Sequence, residues 1–344
     1  MKKSKKFIKI FFFLTAILLL LSGLTVAIID PFGVYHKPWF GLKNVNLNQA
    51  YQNPGYAKNY DYETALVGTS MTEGMRASDV DKIFDTSTIK ICQSGAHSMD
   101  MAEMLNLVCK AGKAKQVIVG FDANIFRKEY DSYRSEMPLY LYNDNPLDDV
   151  QYLFNKQVLF EEIPEMLKEN KETDLPDLDD YYIKSESAFS KDIALANYER
   201  GVVDEVSCSW DRADQNIDNI LPVIEDNPQV TFYIYMPPYS MLFWDRYVLN
   251  GAEEQELAME KEIVEAFMPY DNVKFYYFMN DYEVITDLDN YRDAGHYSPA
   301  VCNQILQDIY NEKYLVTEEN YEAVFEEMES FVKSYDYEKI FATE

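Results

Sequence analysis

Three side chains in this sequence have the types and the spacing that acyl transfer by a serine nucleophile requires. Ser70 follows an apolar run, in the segment Gly68-Thr69-Ser70, and Asp293 lies three residues before His296. On a single turn, an aspartate at this spacing can accept the imidazole Nδ1–H and leave Nε2 to take a proton from the serine. We therefore predict Ser70 as the catalytic nucleophile, His296 as the general base and Asp293 as the residue that orients it.

Two further segments supply donors for the negative charge that develops on an attacked carbonyl oxygen. Gly95 follows a second apolar run, and Asn124 follows a third. A glycine lets the backbone approach a substrate closely, and an asparagine side chain offers N–H groups. We predict an oxyanion hole formed by the Ser70 N–H, the Gly95 N–H and the Asn124 side chain. The alternative is that Asp122 takes the place of Asn124, which would weaken the hole.

Five other residues are candidates to line the substrate pocket. Tyr239 and Trp244 follow a fourth apolar run, and their rings could pack on sugar rings. His97 and Asp122 lie close to the oxyanion candidates in sequence, with a packing role as the alternative for His97. Arg292 could hold an anionic group of a substrate, or it could pair with a nearby carboxylate.

Each member of the candidate triad also has a purely structural interpretation. Serine is common at helix starts, where its side chain satisfies free N–H groups, so Ser70 could be a helix cap. Asp293 could form a turn, and His296 could be a surface imidazole. Chemistry is favoured by the joint order of these residues, because each lies at the end of an expected strand or at the start of an expected helix.

Alternating strands and helices must position these residues. Short apolar, β-branched or aromatic runs predict strands, and the amphipathic segments between them predict helices. The predicted strands are 63–67, 88–92, 116–121, 229–236 and 273–278. The predicted helices are 77–84, 98–111, 211–226, 253–268 and 299–310.

This alternation is typical of an α/β fold, here a three-layer α/β/α sandwich with a central parallel sheet of about five strands. Ligands of such sheets bind beyond the carboxyl ends of the strands, where the candidate residues lie. More than 100 residues separate the third and fourth strands, too many for an ordinary crossover. We predict a mostly helical insertion at 127–210, with helices in 147–171 and an acidic segment at 174–180, and an acidic helical extension at 313–344.

The first 30 residues differ in composition from the rest of the chain. Five lysines within the first nine residues precede an uncharged run of 20 residues, 10–29. That length spans a bilayer as a helix, and the preceding lysines place the N-terminus in the cytoplasm. We expect an uncleaved transmembrane signal anchor at 1–30, a juxtamembrane linker at 31–60 and an α/β domain at 61–312 outside the cytoplasm. A cleaved signal peptide is the alternative, although no clear small-x-small cleavage site follows the run.

The overall composition excludes some classes of function. The chain has 344 residues, with 31 Lys and Arg against 59 Asp and Glu, which gives a net charge of −28. Binding to nucleic acid needs a basic surface, so we predict no nucleic-acid partner. The cysteines form no Cys-x-x-Cys pair and no EF-hand spacing is present, so we predict neither a metal nor a cofactor.

The candidate motifs resemble those of the SGNH (GDSL-like) hydrolase superfamily over about residues 60–312. That family has a Ser after the first strand, a Gly after the second, an Asn after the third and Asp-x-x-His near the C-terminus. The resemblance gives Ser70 the role of nucleophile, Gly95 that of oxyanion glycine, and Asp293 and His296 the remaining triad positions. The third block departs from the Gly-x-Asn-Asp pattern of the family, because residues 120–124 are Gly-Phe-Asp-Ala-Asn.

The anchor, the segment Val-Gly-Thr-Ser-Met-Thr-Glu at 67–73 and the long insertion look more like exported SGNH-like partners of membrane-bound O-acyltransferases. Proteins of alginate acetylation and of teichoic-acid D-alanylation belong to that group. The resemblance implies an extracytoplasmic acyl, chiefly acetyl, esterase or O-acyltransferase that modifies a cell-surface or exported polysaccharide through an acyl-serine. It also implies a membrane-bound O-acyltransferase as partner. The alternatives are a non-catalytic accessory protein that docks on that partner and a protein that binds glycan.

Overall fold

The computed structural model describes residues 2–45, 47–172, 178–202 and 208–342, and the chain divides into two units. We call the first the anchor unit, which consists of Met1–Tyr60 and Met137–Tyr181. We call the second the sheet unit, which consists of Asp61–Glu136 and Tyr182–Glu344.

The sheet unit is built on one six-stranded sheet. Its strands are β1 (Thr64–Gly68), β2 (Thr88–Cys92), β3 (Gln116–Gly120), β4 (Thr231–Met236), β5 (Val273–Tyr277) and β6 (Leu315–Val316). The order across the sheet is β2-β1-β3-β4-β5-β6, with β1 to β5 parallel and β6 antiparallel to β5. The predicted α/β fold with five parallel strands is therefore confirmed, and a short sixth strand makes the sheet mixed.

The strand order explains both the apolar runs and the place of the site. All five residues of β1 are buried, as expected for a strand with helices on both faces of its sheet. Because β2 and β3 flank β1, the direction of the strand order reverses at β1 and β3. Open α/β sheets bind their ligands beyond the carboxyl ends of the strands at such a reversal.

The α-helices of the described residues follow the chain in this order: α1 (Lys2–Ile29), α2 (Gln49–Asn59), α3 (Ser70–Glu73), α4 (Ala77–Phe84), α5 (Ser98–Ala111), α6 (Val150–Leu153), α7 (Ile163–Glu169), α8 (Lys191–Ala196), α9 (Ala213–Glu225), α10 (Met241–Leu249), α11 (Glu253–Phe267), α12 (Tyr282–Thr286), α13 (Pro299–Tyr310), α14 (Tyr321–Ser334) and α15 (Glu338–Phe341). In the sheet unit, α5 and α11 both pack on α9, and α4 packs on α13. The predicted helices 77–84, 98–111 and 299–310 keep their bounds as α4, α5 and α13.

The anchor unit is organised around the end of α1. This helix of 28 residues is long and apolar enough to cross a membrane. Asp30, directly after it, is buried and accepts N–H bonds from Val34 (3.0 Å), Tyr35 (2.7 Å) and His36 (3.1 Å). Its carboxylate also accepts the Tyr152 hydroxyl at 2.9 Å. Residues 31–60, which we expected to be a linker, therefore begin with a folded turn and also contain α2.

The insertion and the C-terminal extension contain the expected helices in shorter pieces. Helices α6 and α7 and a π-helix at Val158–Glu162 lie in the anchor unit, and α8 lies in the sheet unit. Of the expected acidic segment, residues 174–177 lie outside the described residues. The extension begins with β6 before α14 and α15, and at two residues β6 is too short to show the alternation that marks a strand in a sequence.

Candidate active site

The structure brings Ser70, His296 and Asp293 into one chain of hydrogen bonds. Ser70 Oγ lies 3.0 Å from His296 Nε2, and His296 Nδ1 lies 2.8 Å from Asp293 Oδ2. Ser70 and His296 are 226 residues apart in sequence, so only the fold places them together. Their geometry is that of a nucleophile, a base and a residue that orients the base.

Ser70 is positioned by a sharp passage from strand to helix. β1 ends at Gly68, and α3 begins at Ser70. Between them, Thr69 has an extended backbone, and its Oγ1 accepts the Met71 N–H at 3.3 Å. Thr69 is therefore the helix cap, the structural role that we had considered for Ser70. As the first residue of α3, Ser70 has an N–H group with no acceptor inside the helix.

The Asp293–His296 loop fixes the imidazole through its own backbone. Asp293 Oδ1 accepts the N–H groups of Gly295 (2.9 Å) and His296 (2.7 Å), and the Arg292 N–H donates to the His296 carbonyl at 3.1 Å. Burial alone would raise the pKa of Asp293, but the hydrogen bonds and the charge of the imidazole, together with these two N–H groups, lower it to about 2. Asp293 therefore stays ionised at neutral pH and can accept the Nδ1–H of His296.

Three side chains that sequence analysis missed tie this loop to the strand ends. Ser240, at the start of α10, donates its N–H and its hydroxyl to the Ala294 carbonyl at 3.0 and 2.9 Å. The Tyr297 hydroxyl donates to the Met71 carbonyl of α3 at 3.0 Å. The Tyr291 hydroxyl donates to a carbonyl after β4 at 2.8 Å. The tyrosines flank the Asp-x-x-His motif in sequence, and that position is the signal that could have identified them.

A pocket of about 270 Å³ opens beside the triad within the sheet unit. Ser70 and His296 lie in its wall and are partly exposed, so a small ester could reach the hydroxyl. Arg292 and Lys184 add positive charge, and Glu73 adds a carboxylate that accepts the Ser94 hydroxyl at 2.7 Å. The remaining lining residues are Gly74, Ser94, Tyr182, Phe189, Tyr297 and Pro299.

The position of Arg292 is compatible with both of the roles that the sequence left open. It lines the pocket, as a substrate-binding residue would, and its Nε lies 3.8 Å from Asp293 Oδ2. A separation of 3.8 Å between partly exposed groups is a weak ion pair. The guanidinium can therefore support the Asp293 charge and still meet an anionic group in the pocket.

Gly95 lies in a tight turn after β2. The Ala96 N–H donates to the Gln93 carbonyl at 3.1 Å, and Gly95 has φ +66°, the positive value that the third position of a type II turn requires. Lys128 Nζ donates to the Gly95 carbonyl at 2.8 Å, and a Cβ on Gly95 would lie 3.0 Å from Arg134 Nε. The position therefore needs glycine for the turn and for the close cation. Gly95 is not among the residues described as lining the pocket.

Asp122 and Asn124 have different roles in the third block. Asp122 Oδ2 accepts the Thr69 hydroxyl at 3.2 Å, and its Oδ1 accepts the Asn124 N–H at 2.9 Å and the Tyr239 hydroxyl. The carboxylate thus joins the ends of β1, β3 and β4 and does not line the described pocket. Asn124 Oδ1 accepts Arg127 Nη1 at 3.1 Å, so its Nδ2 is the atom that could serve as a donor.

Tyr239 and Trp244, which we expected to stack on sugar rings, are buried in the structure. Tyr239 is 3% exposed and Trp244 is fully buried, and neither lines the described pocket. Tyr239 is oriented inward by Asp122 and packs against Gly295, while Trp244 packs edge-on to Phe243 at 5.4 Å between ring centroids. A position after a strand end does not determine the direction in which a ring points.

His97 caps α5 and lies apart from the residues described as lining the pocket. Its N–H donates to Asp100 at 2.8 Å, and its ring Nδ1 lies 3.1 Å from Ser132 Oγ. Burial lowers the pKa of His97, and the nearby Lys128 lowers it further. The packing role, which was the alternative in the sequence, therefore fits the structure better than a substrate-lining role.

Comparisons with known proteins add one structural relative. No protein-family model and no curated protein matches the chain. Among the solved structures, a similar chain is one from Bacteroides fragilis NCTC 9343 described as a "putative acylhydrolase". The two are 12% identical, the match covers 78% of this chain and 96% of that chain, and the TM-score is 0.36.

Proposed function

We propose that this chain is a serine-dependent acyl esterase or O-acyltransferase of the SGNH type. The observation that carries the proposal is the hydrogen-bonded series Ser70 Oγ, His296 Nε2, His296 Nδ1 and Asp293, with Ser70 exposed to a pocket. A structural interpretation of any one residue leaves this alignment unexplained. The order of Ser, Gly and Asp-x-x-His along strands β1, β2 and the C-terminal part of the fold supports the SGNH assignment.

The geometry supports a two-step reaction through an acyl-serine. Ser70 Oγ attacks the carbonyl carbon of an ester while its proton passes to His296 Nε2, 3.0 Å away. The tetrahedral intermediate then breaks its bond to the alkoxide, which takes the proton from His296. In the second step water or a hydroxyl group attacks the acyl-serine carbonyl carbon and gives its proton to His296. The bond to Ser70 Oγ then breaks, and His296 returns the proton to Ser70 Oγ, which restores the starting enzyme. An esterase uses water as this acceptor, and a transferase uses the hydroxyl of a second substrate.

The oxyanion donors in this proposal are the N–H groups of Ser70 and Gly95 and the Nδ2 of Asn124. The N–H of Ser70 is directed by the start of α3, and the turn at Gly95 is held by Lys128. Loss of one such donor costs about 2.7 to 4 kcal/mol in the transition state. The rate therefore depends strongly on whether Asn124 contributes.

The proposed substrate is an acyl, chiefly acetyl, ester of a cell-surface or exported polysaccharide. The pocket volume of about 270 Å³ fits an acyl group and part of a sugar, rather than a long acyl chain. Arg292 and Lys184 favour a substrate that carries a carboxylate or another anionic group close to the ester. A membrane-bound O-acyltransferase is the proposed donor partner if the chain transfers rather than hydrolyses.

The proposed location is the cell membrane, with a single span and the sheet unit outside the cytoplasm. The length and composition of α1, together with the lysines at its start, support this orientation. The packing of Gly23, Val26 and the following Asp30 inside the anchor unit supports a retained helix, because cleavage near this point would remove buried residues.

One observation favours a second candidate, a non-catalytic accessory protein that docks on a membrane-bound acyltransferase or binds glycan. Asp122 stands two residues after Gly120, where the family pattern has its asparagine, and its carboxylate is fully used in joining strand ends. A carboxylate cannot donate a hydrogen bond to an oxyanion. This candidate predicts a folded protein with an unreactive Ser70.

Covalent labelling separates the two candidates. The full chain is incubated with a fluorophosphonate probe, and turnover of p-nitrophenyl acetate is measured in parallel. We expect labelling of the wild type and its loss in Ser70→Ala and His296→Ala. Ser94→Ala is the matched control, because Ser94 lies in the same pocket but donates to Glu73 and should leave the label in place. An unlabelled, well-folded wild type would contradict the enzymatic proposal and support the accessory role.

A further inference from the structure

Exposed aromatic side chains of the anchor unit lie near the outer end of α1. We propose that these residues, Trp39 and Phe40 on one segment and Phe154 and Phe160 on another, form an aromatic collar that enters the outer leaflet of the bilayer. The anchor unit would then hold the membrane at two places, through α1 and through the collar. The inference rests on the proposed membrane-spanning role of α1.

Phe154 fixes the depth of one half of the collar. A Cβ on Gly23 of α1 would meet the Phe154 ring at 3.4 Å, so the ring lies against the helix at that level. Gly23 is six residues before Ile29, a distance of about 9 Å along an α-helix. The uncharged run 10–29 is about 30 Å long, which matches the hydrocarbon thickness of a bilayer and places Ile29 near its outer boundary. Phe154 therefore lies at the depth where interfacial segments bury their apolar side chains.

The same segment exposes further apolar side chains. Phe154 remains 47% exposed although it contacts α1, and Phe160 on the adjoining π-helix is 68% exposed. Both α6 and this π-helix pack on α1. The exposed side chains of α1 at this level, such as Leu21 and Leu24, are themselves apolar. The segment thus extends a surface that already faces lipid if α1 spans the membrane.

Trp39 and Phe40 form the other half of the collar. His36 Nε2 lies 3.0 Å from the Ala27 carbonyl, in the last turns of α1. The Trp39 ring stacks on His36 with 3.7 Å between centroids and 6° between planes. This stack places Trp39 at the end of α1, at the level where tryptophan is enriched in membrane proteins.

Phe40 is the first central residue of a tight turn, in which the Leu42 N–H donates to the Trp39 carbonyl at 3.0 Å. It has φ +59°, a region that L-residues with bulky side chains rarely adopt, and it is 77% exposed. The positive φ and the exposure of the phenyl ring to water each cost free energy. Insertion of the ring into the bilayer removes the cost of exposing it to water. Strained backbone conformations are found mainly at functional positions.

Lipid is the occupant that these observations favour. The collar lies at the outer end of the proposed span, its depth matches the bilayer interface, and Phe154 is in contact with α1 next to exposed apolar side chains of that helix. A multi-span membrane protein that covers the same residues is the competing occupant. Vesicles that contain only this protein and lipid distinguish the two.

The test uses quenching of tryptophan emission by lipids brominated on their acyl chains. The full chain is reconstituted in phosphatidylcholine vesicles with and without bromine, and the difference between wild type and Trp39→Phe isolates Trp39. Phe154→Trp in the Trp39→Phe background then reports on the other half. We expect at least a twofold fall in emission from each collar position. Tyr310→Trp, a 56% exposed position of the sheet unit, is the control and should stay open to iodide in the aqueous phase.

Each outcome decides the proposal. Quenching at both positions supports the collar, and its absence at either position, while the protein resists alkaline extraction from the vesicles, overturns it. If the positions stay unquenched in vesicles but photo-crosslink to a protein in native membranes, the surface binds a protein partner instead of lipid. Release by alkali would show that α1 does not anchor the chain, and the collar would fall with it. Fluorophosphonate labelling in the same vesicles reports on Ser70 independently of all these results.

Discussion

Replacement of Asp293 by asparagine tests the proposed mechanism at its most specific point. Asp293 Oδ1 accepts two backbone N–H groups, and Oδ2 is the oxygen closest to His296 Nδ1, at 2.8 Å. In Asp293→Asn the amide oxygen can keep the two backbone bonds, and the NH2 group then faces Nδ1. Because two donors cannot meet, the imidazole takes the tautomer with its proton on Nε2. Nε2 then donates to Ser70 Oγ and can no longer accept its proton.

The expected loss in kcat is about 10⁴-fold, the effect of the same tautomer change in a serine protease, which corresponds to about 5 kcal/mol in the barrier. Folding should be affected far less. The pKa of Asp293 is lowered from 3.8 to about 2, so its ionised form adds a few kcal/mol at most to the free energy of unfolding. Because the side chain is partly exposed, we reduce this contribution to about 1–2 kcal/mol. This contribution is complete above about pH 4, the usual pKa of an unfolded aspartate, and is lost as the pH falls toward 2.

The assay combines p-nitrophenyl acetate turnover, fluorophosphonate labelling and urea unfolding at pH 7 and pH 3. Asp289→Asn is the matched control, since Asp289 also accepts a backbone N–H, from Lys191 at 2.9 Å, and is not among the described lining residues of the pocket. The control should keep wild-type turnover. A loss below tenfold in a folded Asp293→Asn protein would refute the assignment of Asp293 as the residue that orients His296.

Three other substitutions test neighbouring parts of the argument. Arg292→Gln should lower kcat/KM for an ester with a nearby carboxylate about tenfold and change that for its neutral analogue less than twofold; an equal effect on both esters would exclude anion recognition by Arg292. Tyr297→Phe should lower the free energy of unfolding by about 1–3 kcal/mol, since it leaves the buried Met71 carbonyl without its partner, and urea unfolding measures this loss. Arg127→Met should cost about 3–5 kcal/mol in the same measurement, because it leaves the fully buried Glu256 carboxylate without its ion pair; a variant as stable as the wild type would contradict this.

The sequence predicted the parts of the fold that leave a local signal. Strand β1 is buried along its whole length and β3 at four of its five residues, because both faces are covered, and this makes them visible as short apolar runs. Strands β2, β4 and β5 are less completely buried but keep enough β-branched and aromatic residues to be recognised. Ser70 and the Asp-x-x-His motif were identifiable because a strand or helix boundary adjoins each of them. The spacing of Asp293 and His296 predicted one turn, and the structure shows both on one loop.

The contacts that hold the site together left no such signal. Asp122 meets Thr69 across 53 residues and Tyr239 across 117, and no pattern along the chain links them. Tyr239 and Trp244 were expected to face a substrate because aromatic residues follow β4. The structure shows that Tyr239 packs against Gly295 of the Asp293–His296 loop and that Trp244 of α10 is buried against Phe243, and burial of a large ring is favourable.

These contacts account for an aspartate at position 122. Asp122 receives hydrogen bonds from residues that follow β1, β3 and β4, and Tyr239, one of the donors, also packs against Gly295 in the loop of the base. A carboxylate accepts all three bonds, whereas an asparagine at that position has one oxygen acceptor and would have to reverse a bond, with a hydroxyl such as that of Thr69 becoming the acceptor. If Asn124 supplies the oxyanion donor, the joining of the strand ends and the contact with substrate are carried out by two different residues, Asp122 and Asn124. We expect Asp122→Asn to disturb the alignment of Ser70 and His296, because the bonds of Asp122 to Thr69 and Tyr239 hold the segments next to both residues.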